Sequence, residues 1–272
     1  MAKAGRPMSN TILKTAIITG GAGGLGLALA EELLTRGWQV ALIDLPGERL
    51  DAAATAFAGQ PVSTHACDLT DEASVATLSK ELAASCPTID MVIYNAGITQ
   101  IGELTAEPVS AHRKVFDVNY FGALYLLRHM IAPVRQSKGI HLAVSSVAGF
   151  SPLFHRTAYA ASKHALEGLF KSLRAEELHH GVRVMIAAPS FVATNLDNPG
   201  HEPGGIARPG SATDGVDYMS PTDAAKVIVT GLAKEKPYIP VGRIARLAWR
   251  INRFFPELYF RLMMKRMSPE SD

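Results

Sequence analysis

Cysteine is scarce in this chain: 272 residues carry only two, Cys67 and Cys86. They have no metal-ligand spacing, so no metal site is read from them, and a chain of this length has no need of one bridge to close a core. A reducing, cytoplasmic setting is expected. Charge of one sign is lacking as well. Twenty-seven Lys and Arg stand against twenty-five Asp and Glu, a net charge of +2, too small for the overall footprint of a nucleic-acid binder. No window of about 18 to 20 uncharged apolar residues occurs, which excludes a spanning helix of that kind. The start, Met1 to Asn10, has Lys3 and Arg6 but no apolar stretch behind them of the kind a secretory signal requires. The expectation is a protein that is not exported and is at most peripheral to a membrane.

Apolar residues, by contrast, are abundant at 47%, enough for one substantial core, and residues 1–272 are read as one domain. Short runs rich in Val and Ile recur at Ile12 to Thr19, Gln39 to Asp44, Val62 to Cys67, Asp90 to Asn95, Gly139 to Ser145 and Arg183 to Ala188. They read as buried parallel strands. Helical spacing lies between them, as in Leu25, Leu29, Leu33 and Leu34, or Val75, Leu78 and Leu82. The alternation predicts an α/β fold, a doubly wound, Rossmann-like parallel sheet with helices on both faces and its ligands at the carboxyl ends of the strands. Residues 197–221 hold too many Gly and Pro for a stable helix or strand, and are read as a substrate lid loop.

Directly after the first strand stands Thr19-Gly20-Gly21-Ala22-Gly23-Gly24-Leu25-Gly26, and a helical pattern follows. Glycines let the backbone turn sharply and approach a pyrophosphate, whose charge the helix start favours. A tight strand-to-helix turn would also use glycine, but the strand before and helix after supply the context that a dinucleotide site requires. Asp44 ends the second strand, 18 positions past Gly26, where a carboxylate can accept from both adenosine ribose hydroxyls. It would repel a 2′-phosphate, and Gly23 and Leu45 offer no cation to hold one, so NAD is predicted over NADP. Asp68 and Leu69, past the third strand, and Asn95-Ala96-Gly97, past the fourth, lie at the same edge. Asp68 could accept from the adenine amino group, or cap the helix that follows.

Tyr159-Ala160-Ala161-Ser162-Lys163 places Tyr and Lys four apart, on one helix face. A neighbouring ammonium favours phenolate, so the pair can act as an acid and base, although such a pair by itself is more often a surface feature. With the glycine motif, the set resembles the short-chain dehydrogenase/reductase family in its single-domain common subtype. The resemblance covers about residues 12–195: Thr19 to Gly26 resembles the family's cofactor motif, Asn95-Ala96-Gly97 its strand-stabilising motif and Tyr159 to Lys163 its active-site motif. Ser146 stands 13 residues before Tyr159 like the catalytic serine, which makes adjacent Ser145 the weaker candidate, and Asn119 in Asp117-Val118-Asn119-Tyr120 resembles the catalytic asparagine.

The resemblance implies an oxidoreductase that exchanges a hydride between NAD(H) and an alcohol or ketone. It implies that Tyr159 exchanges a proton with the substrate oxygen, that Ser146 hydrogen-bonds that oxygen, and that Lys163 binds ribose hydroxyls and lowers the tyrosine pKa. Asn119 would hold a water linking Lys163 to solvent, and Val192 and Thr194 would bind the carboxamide. Ser190 stands where the family usually has glycine. A homo-oligomer, dimer or tetramer, is implied through the helices that hold Asn119 and Tyr159. The alternatives are an NADPH-dependent carbonyl reductase, against which Asp44 argues, and a noncatalytic dinucleotide-binding regulator, against which the intact Asn119, Ser146, Tyr159 and Lys163 argue.

Phe150, Phe154, His155 and Phe191 are expected at the substrate pocket, together with Leu153 and parts of 197–221; mostly apolar walls predict a hydrophobic secondary alcohol or ketone. The tail, residues 242–267, reads as two amphipathic basic helices broken near Pro256. Ile244, Leu247, Ile251, Phe254 and Phe255 make one apolar face, with Arg246, Arg250 and Arg253 largely elsewhere. That face is expected to pack on the core, the substrate loop or a neighbouring subunit, the usual fate of such helices. The rival expectation is that it lies on an anionic membrane surface.

Overall fold

The structure, a computed structural model, describes residues 13–195, 205–210 and 218–267. The chain begins with β1 (Lys14–Thr19), α1 (Gly24–Leu34), β2 (Trp38–Asp44), α2 (Glu48–Ala56), β3 (Val62–Ala66), α3 (Glu72–Ser85) and β4 (Met91–Tyr94). It continues through β5 (Thr99–Gln100), α4 (Val109–Phe116), α5 (Gly122–Ser137), β6 (Ile140–Val144), α6 (Thr157–Glu177), β7 (Arg183–Pro189) and β8 (Ile206–Ala207). It ends with α7 (Pro221–Ala233), β9 (Tyr238–Val241), α8 (Arg243–Phe254) and α9 (Pro256–Met267). Seven strands form one sheet in the order β3-β2-β1-β4-β6-β7-β9, every pair parallel. The order reverses between β1 and β4, and a crevice opens there at the carboxyl ends of the strands.

Both faces of the sheet are covered, which is why its strands are apolar at nearly every position. Ala16 and Ile18 of β1 belong to the core shared with α1 and α7, which includes Leu29, Leu33, Ile228 and Leu232. Their neighbour Ile17 joins the opposite core, with Val75 and Leu82 of α3, Leu126 of α5 and Phe170 of α6. Burying each such side chain contributes about 1.5–3 kcal/mol. A third, smaller cluster joins Ala245 and Ala248 of α8 and Tyr259 and Met263 of α9 to Val147, just after β6.

Two departures from the sequence reading have physical causes. β9 is not among the strands that the apolar runs predict, and Pro240 stands within it. It is an edge strand that pairs only with β7, where a proline costs no ladder bond to a second neighbour. The 197–221 stretch, read as holding no strand, contains β8, whose two residues pair antiparallel with β5 and so close a small flap beside the crevice. The remainder of the lid expectation falls mainly on 196–204 and 211–217, outside the described residues.

Candidate active site

The glycine turn between β1 and α1 is shaped by contacts too close for side chains. Gly20 has φ of +62°, and a Cβ there would stand 2.9 Å from Ala96 Cα. A Cβ on Gly26 would collide with the Gly20 carbonyl oxygen and stand 2.9 Å from Gly21 Cα, so helix and turn pack backbone to backbone. Gly23 caps α1 with no side-chain bond, and no acidic residue occupies the first turn, so the helix start is open to an anion. Thr19 lies beneath this turn rather than in the cleft: its hydroxyl accepts from the amides of Asn95 (3.0 Å) and Ala96 (3.1 Å). The Asn95 side chain in turn donates to the carbonyls of Thr19 and Gly20. Thr19 and Asn95 thus hold the ends of β1 and β4 together at the switch point.

The cleft above is walled by Gly20, Gly24 and Leu25 on one side, Asp44 and Asp68 at one end, and Tyr159 and Lys163 at the other. Asp44 accepts the Ala22 amide on one oxygen (2.9 Å) and the Leu45 amide on the other (2.9 Å), which fixes the carboxylate against the turn. Asp68 accepts from the amide and the hydroxyl of Thr70 (2.9 and 2.8 Å); the helix cap it was weighed for belongs to Asp71, which accepts from Ala73. Leu69, Gly97, Val192 and Thr194 belong to the lining as well. The floor fits a dinucleotide because it is kept empty: a Cβ on Gly97 would stand 3.2 Å from Asn119 Oδ1 and 3.3 Å from Lys163 Nζ. Two cations of the lining are not expected from the sequence. Arg49 donates to the Ala22 carbonyl (3.2 Å), so the expectation of no cation near the turn is corrected, and Arg208 reaches the same cleft from the segment after β8. Arg49 escapes a reading by sequence neighbours because α2 folds it back onto the turn from five positions beyond Asp44.

Tyr159 and Lys163, one turn apart on α6, are both buried, with Lys163 Nζ 5.8 Å from the phenol ring centre. Lys163 donates to the Val144 carbonyl (3.0 Å). Burial lowers its pKa to about 8, against an opposing pull from Glu167 one turn further along. Glu167 is itself buried, and accepts from Ser145 (2.9 Å), Tyr238 (2.9 Å) and Lys171 (2.6 Å). Burial and Glu167 together push the Tyr238 phenol far up. Both serines line the cleft, but the Ser145 hydroxyl is committed to Glu167, whereas Ser146 caps the short turn Val147–Gly149 and also lines the adjoining cavity with Tyr159. Asn119 sits in a single π-turn, Asp117–Phe121, between α4 and α5. Its amide group donates to the Ile98 carbonyl (2.9 Å) and to Ser162 (2.9 Å) and accepts the Ile98 amide (2.8 Å). It thereby supports the strand end next to Gly97.

A second cavity of about 380 Å³ adjoins the cleft and shares Ser146, Tyr159 and Ser190 with it. Phe191 and Leu153 line it. Phe150, Phe154 and His155 do not, and the reading that put them there is corrected. Phe150 packs edge-on against Tyr238 (6.2 Å), and Phe154 stacks on His155 (3.8 Å), whose Nε2 stands 3.9 Å from Glu103 Oε1. The apolar wall comes instead from Ile244, Leu247 and Ile251 of α8 and Tyr259, Leu262 and Met263 of α9. Their periodicity is legible in the sequence, but their destination depends on two hydrogen bonds over long separations: Asn252 Nδ2 to the Phe150 carbonyl (2.6 Å) and Ser151 Oγ to Tyr259 Oη (3.0 Å).

A parallel sheet with a glycine-lined cleft at its switch point defines a dinucleotide-binding α/β protein. A family model described as short chain dehydrogenase matches residues 14–203. Dehydrogenase/reductase SDR family member 7B of Bos taurus is 30% identical over 269 residues, 93% of this chain and 81% of that protein. Dehydrogenase/reductase SDR family protein 7-like of Drosophila melanogaster is 29% identical over 266 residues, 93% and 80% of the two chains. Two short-chain dehydrogenases share the fold. That of Burkholderia cenocepacia, solved with NADP, has a TM-score of 0.79 at 23% identity, covering 93% of this chain and 98% of that one. That of Burkholderia phymatum, solved with NAD, has a TM-score of 0.78 at 22% identity, covering 92% and 96%. The chain belongs to the short-chain dehydrogenase/reductase family of oxidoreductases.

Proposed function

We propose that this protein moves a hydride between NAD(H) and a hydrophobic secondary alcohol or ketone, with Tyr159 as the acid and base. The observation that carries the reading is that Tyr159 and Ser146 both line the dinucleotide cleft and the adjoining apolar cavity, which brings a carbonyl bound in the cavity to both residues. A bound nicotinamide supplies or accepts the hydride. In reduction Tyr159 gives its proton to the carbonyl oxygen; in oxidation it takes the alcohol proton. Ser146 hydrogen-bonds the same oxygen. The Lys163 ammonium favours the phenolate by Coulomb attraction and would donate to the ribose hydroxyls of a bound cofactor, while Asn119 keeps Ile98 and the adjoining floor in place and would hold a water leading toward solvent.

Asp44, fixed at the adenosine end of the cleft, supports NAD(H), because a second negative charge on the ribose would meet it. Arg49 at the same end supports the second reading, NADP(H). Fluorescence titration with NADH and NADPH decides: tighter NADH binding that Asp44→Ala erodes is expected, and tighter NADPH binding lost in Arg49→Ala would replace it. The substrate class rests on the apolar wall. Catalytic efficiency should rise with the apolar bulk of a ketone series, and a preference for small polyols would overturn it. A cytoplasmic site of action is part of the same reading, resting on the free thiols of Cys67 and Cys86.

A further inference from the structure

Six large apolar side chains stand exposed on the last two helices: Leu247, Phe254, Phe255, Leu258, Phe260 and Leu262. Other exposed apolar residues among those described are scattered singly, which is ordinary; six on one helical hairpin are not. Phe254 and Phe255, at the corner between the helices, are 68% and 63% exposed. On α8, Leu247 and Phe254 fall on one stripe two turns long, and Arg243, Arg246 and Arg250 run beside it at helical spacing. On α9, Leu258 and Leu262 are one turn apart, with Arg261 and Lys265 one turn apart next to them. Residues 243–267 carry seven basic side chains and one acid, Glu257, in a chain whose net charge is only +2, so the rest of the chain is net acidic.

We propose that this face of α8 and α9 seats on an anionic lipid surface, with the apolar stripes in the interface and the arginines and lysines among the head groups. Charge separates this occupant from a second copy of the chain: a two-fold contact would set each basic stripe against its like. Position gives the docking a purpose. Leu247 and Leu262 are half exposed on this face and also line the apolar cavity, whose wall includes Tyr159, so the face and the reacting hydroxyl share one cavity. A lipophilic ketone or alcohol would then pass from the bilayer to the reacting hydroxyl without crossing water. Only this delivery step rests on the function proposed above; the docking stands on the surface itself.

The test is vesicle flotation of the full chain, with phosphatidylcholine alone and with phosphatidylcholine plus phosphatidylglycerol, at low and high salt. Binding to the anionic vesicles only, released by salt, is expected. Arg246→Gln with Arg250→Gln should weaken it by about thirtyfold, and Arg246→Lys with Arg250→Lys should retain it. Phe254→Ser with Phe255→Ser should weaken it by about tenfold or more without a change in thermal midpoint. Tyr159→Phe should bind as the parent does, so a failure of the catalytic reading is told apart from a failure of docking. No binding to anionic vesicles at low salt overturns the proposal, as does binding that neither double variant weakens. It is also overturned if the Phe254→Ser, Phe255→Ser pair dissociates an oligomer that binds no vesicle, for the face then joins copies of the chain.

Discussion

Lys163 is only 3% exposed and still has to carry charge. Its burial holds the pKa near 8 and the Glu167 carboxylate pulls the other way, so the ammonium is present below about pH 8 and is lost as the pH rises through that value. The rate of ketone reduction should therefore fall along an alkaline limb near pH 8. Glu167→Gln removes the upward pull, and should move that limb to lower pH; superimposable kcat/KM profiles for the two proteins would show that Glu167 has no electrostatic part. A backbone prediction sits beside it. Gly26→Ala puts a Cβ against the Gly20 carbonyl oxygen, and should cost about 1–3 kcal/mol of stability and weaken NADH binding by at least about tenfold. Unchanged binding by titration would contradict the account of the turn. At this scale the sequence is legible where function is local: Tyr159 and Lys163 four apart, glycines after a strand, Asp44 at a strand end. It is not legible where partners meet over long separations, as with Arg49 on the Ala22 carbonyl or Ser145 on Glu167.

Helices α8 and α9 reach Ser146 through the Val147–Gly149 turn, held by Asn252 on Phe150 and by Ser151 on Tyr259. Removing one hydroxyl should loosen that attachment by about 1 kcal/mol. Tyr259→Phe should therefore speed amide hydrogen exchange in α9 and raise KM for bulky ketones more than for small ones. Equal exchange and equal KM ratios would sever the helical hairpin from substrate binding. The central strands could be read from composition because both faces are buried, and a residue such as Ile17 must be apolar whichever way it points. The edge strand β9 could not, since one neighbour suffices for Tyr238–Val241 and prolines are tolerated there. The amphipathic period of the tail was equally plain, yet period alone does not say which surface receives the buried stripe, and Phe150 and Phe154 were placed at the pocket in its stead.

Among the described residues no helix is long and apolar enough to cross a membrane. The assembly expected by resemblance, a dimer or tetramer through the helices holding Asn119 and Tyr159, would cover Phe121, which is partly exposed beside Tyr120 and Tyr125. Light scattering should give a multiple of 29.1 kDa that Phe121→Arg reduces, and a 29.1 kDa species at micromolar concentration would count against it. The dinucleotide cleft and the apolar cavity share a wall, and the chemistry proposed for this protein falls there, at Tyr159. Tyr159→Phe keeps the ring and removes the transferable proton. Single-turnover reduction of an apolar ketone by NADH, measured together with NADH affinity, should slow by a factor of about 100 or more with affinity largely retained. Reduction at the parent rate would contradict the account.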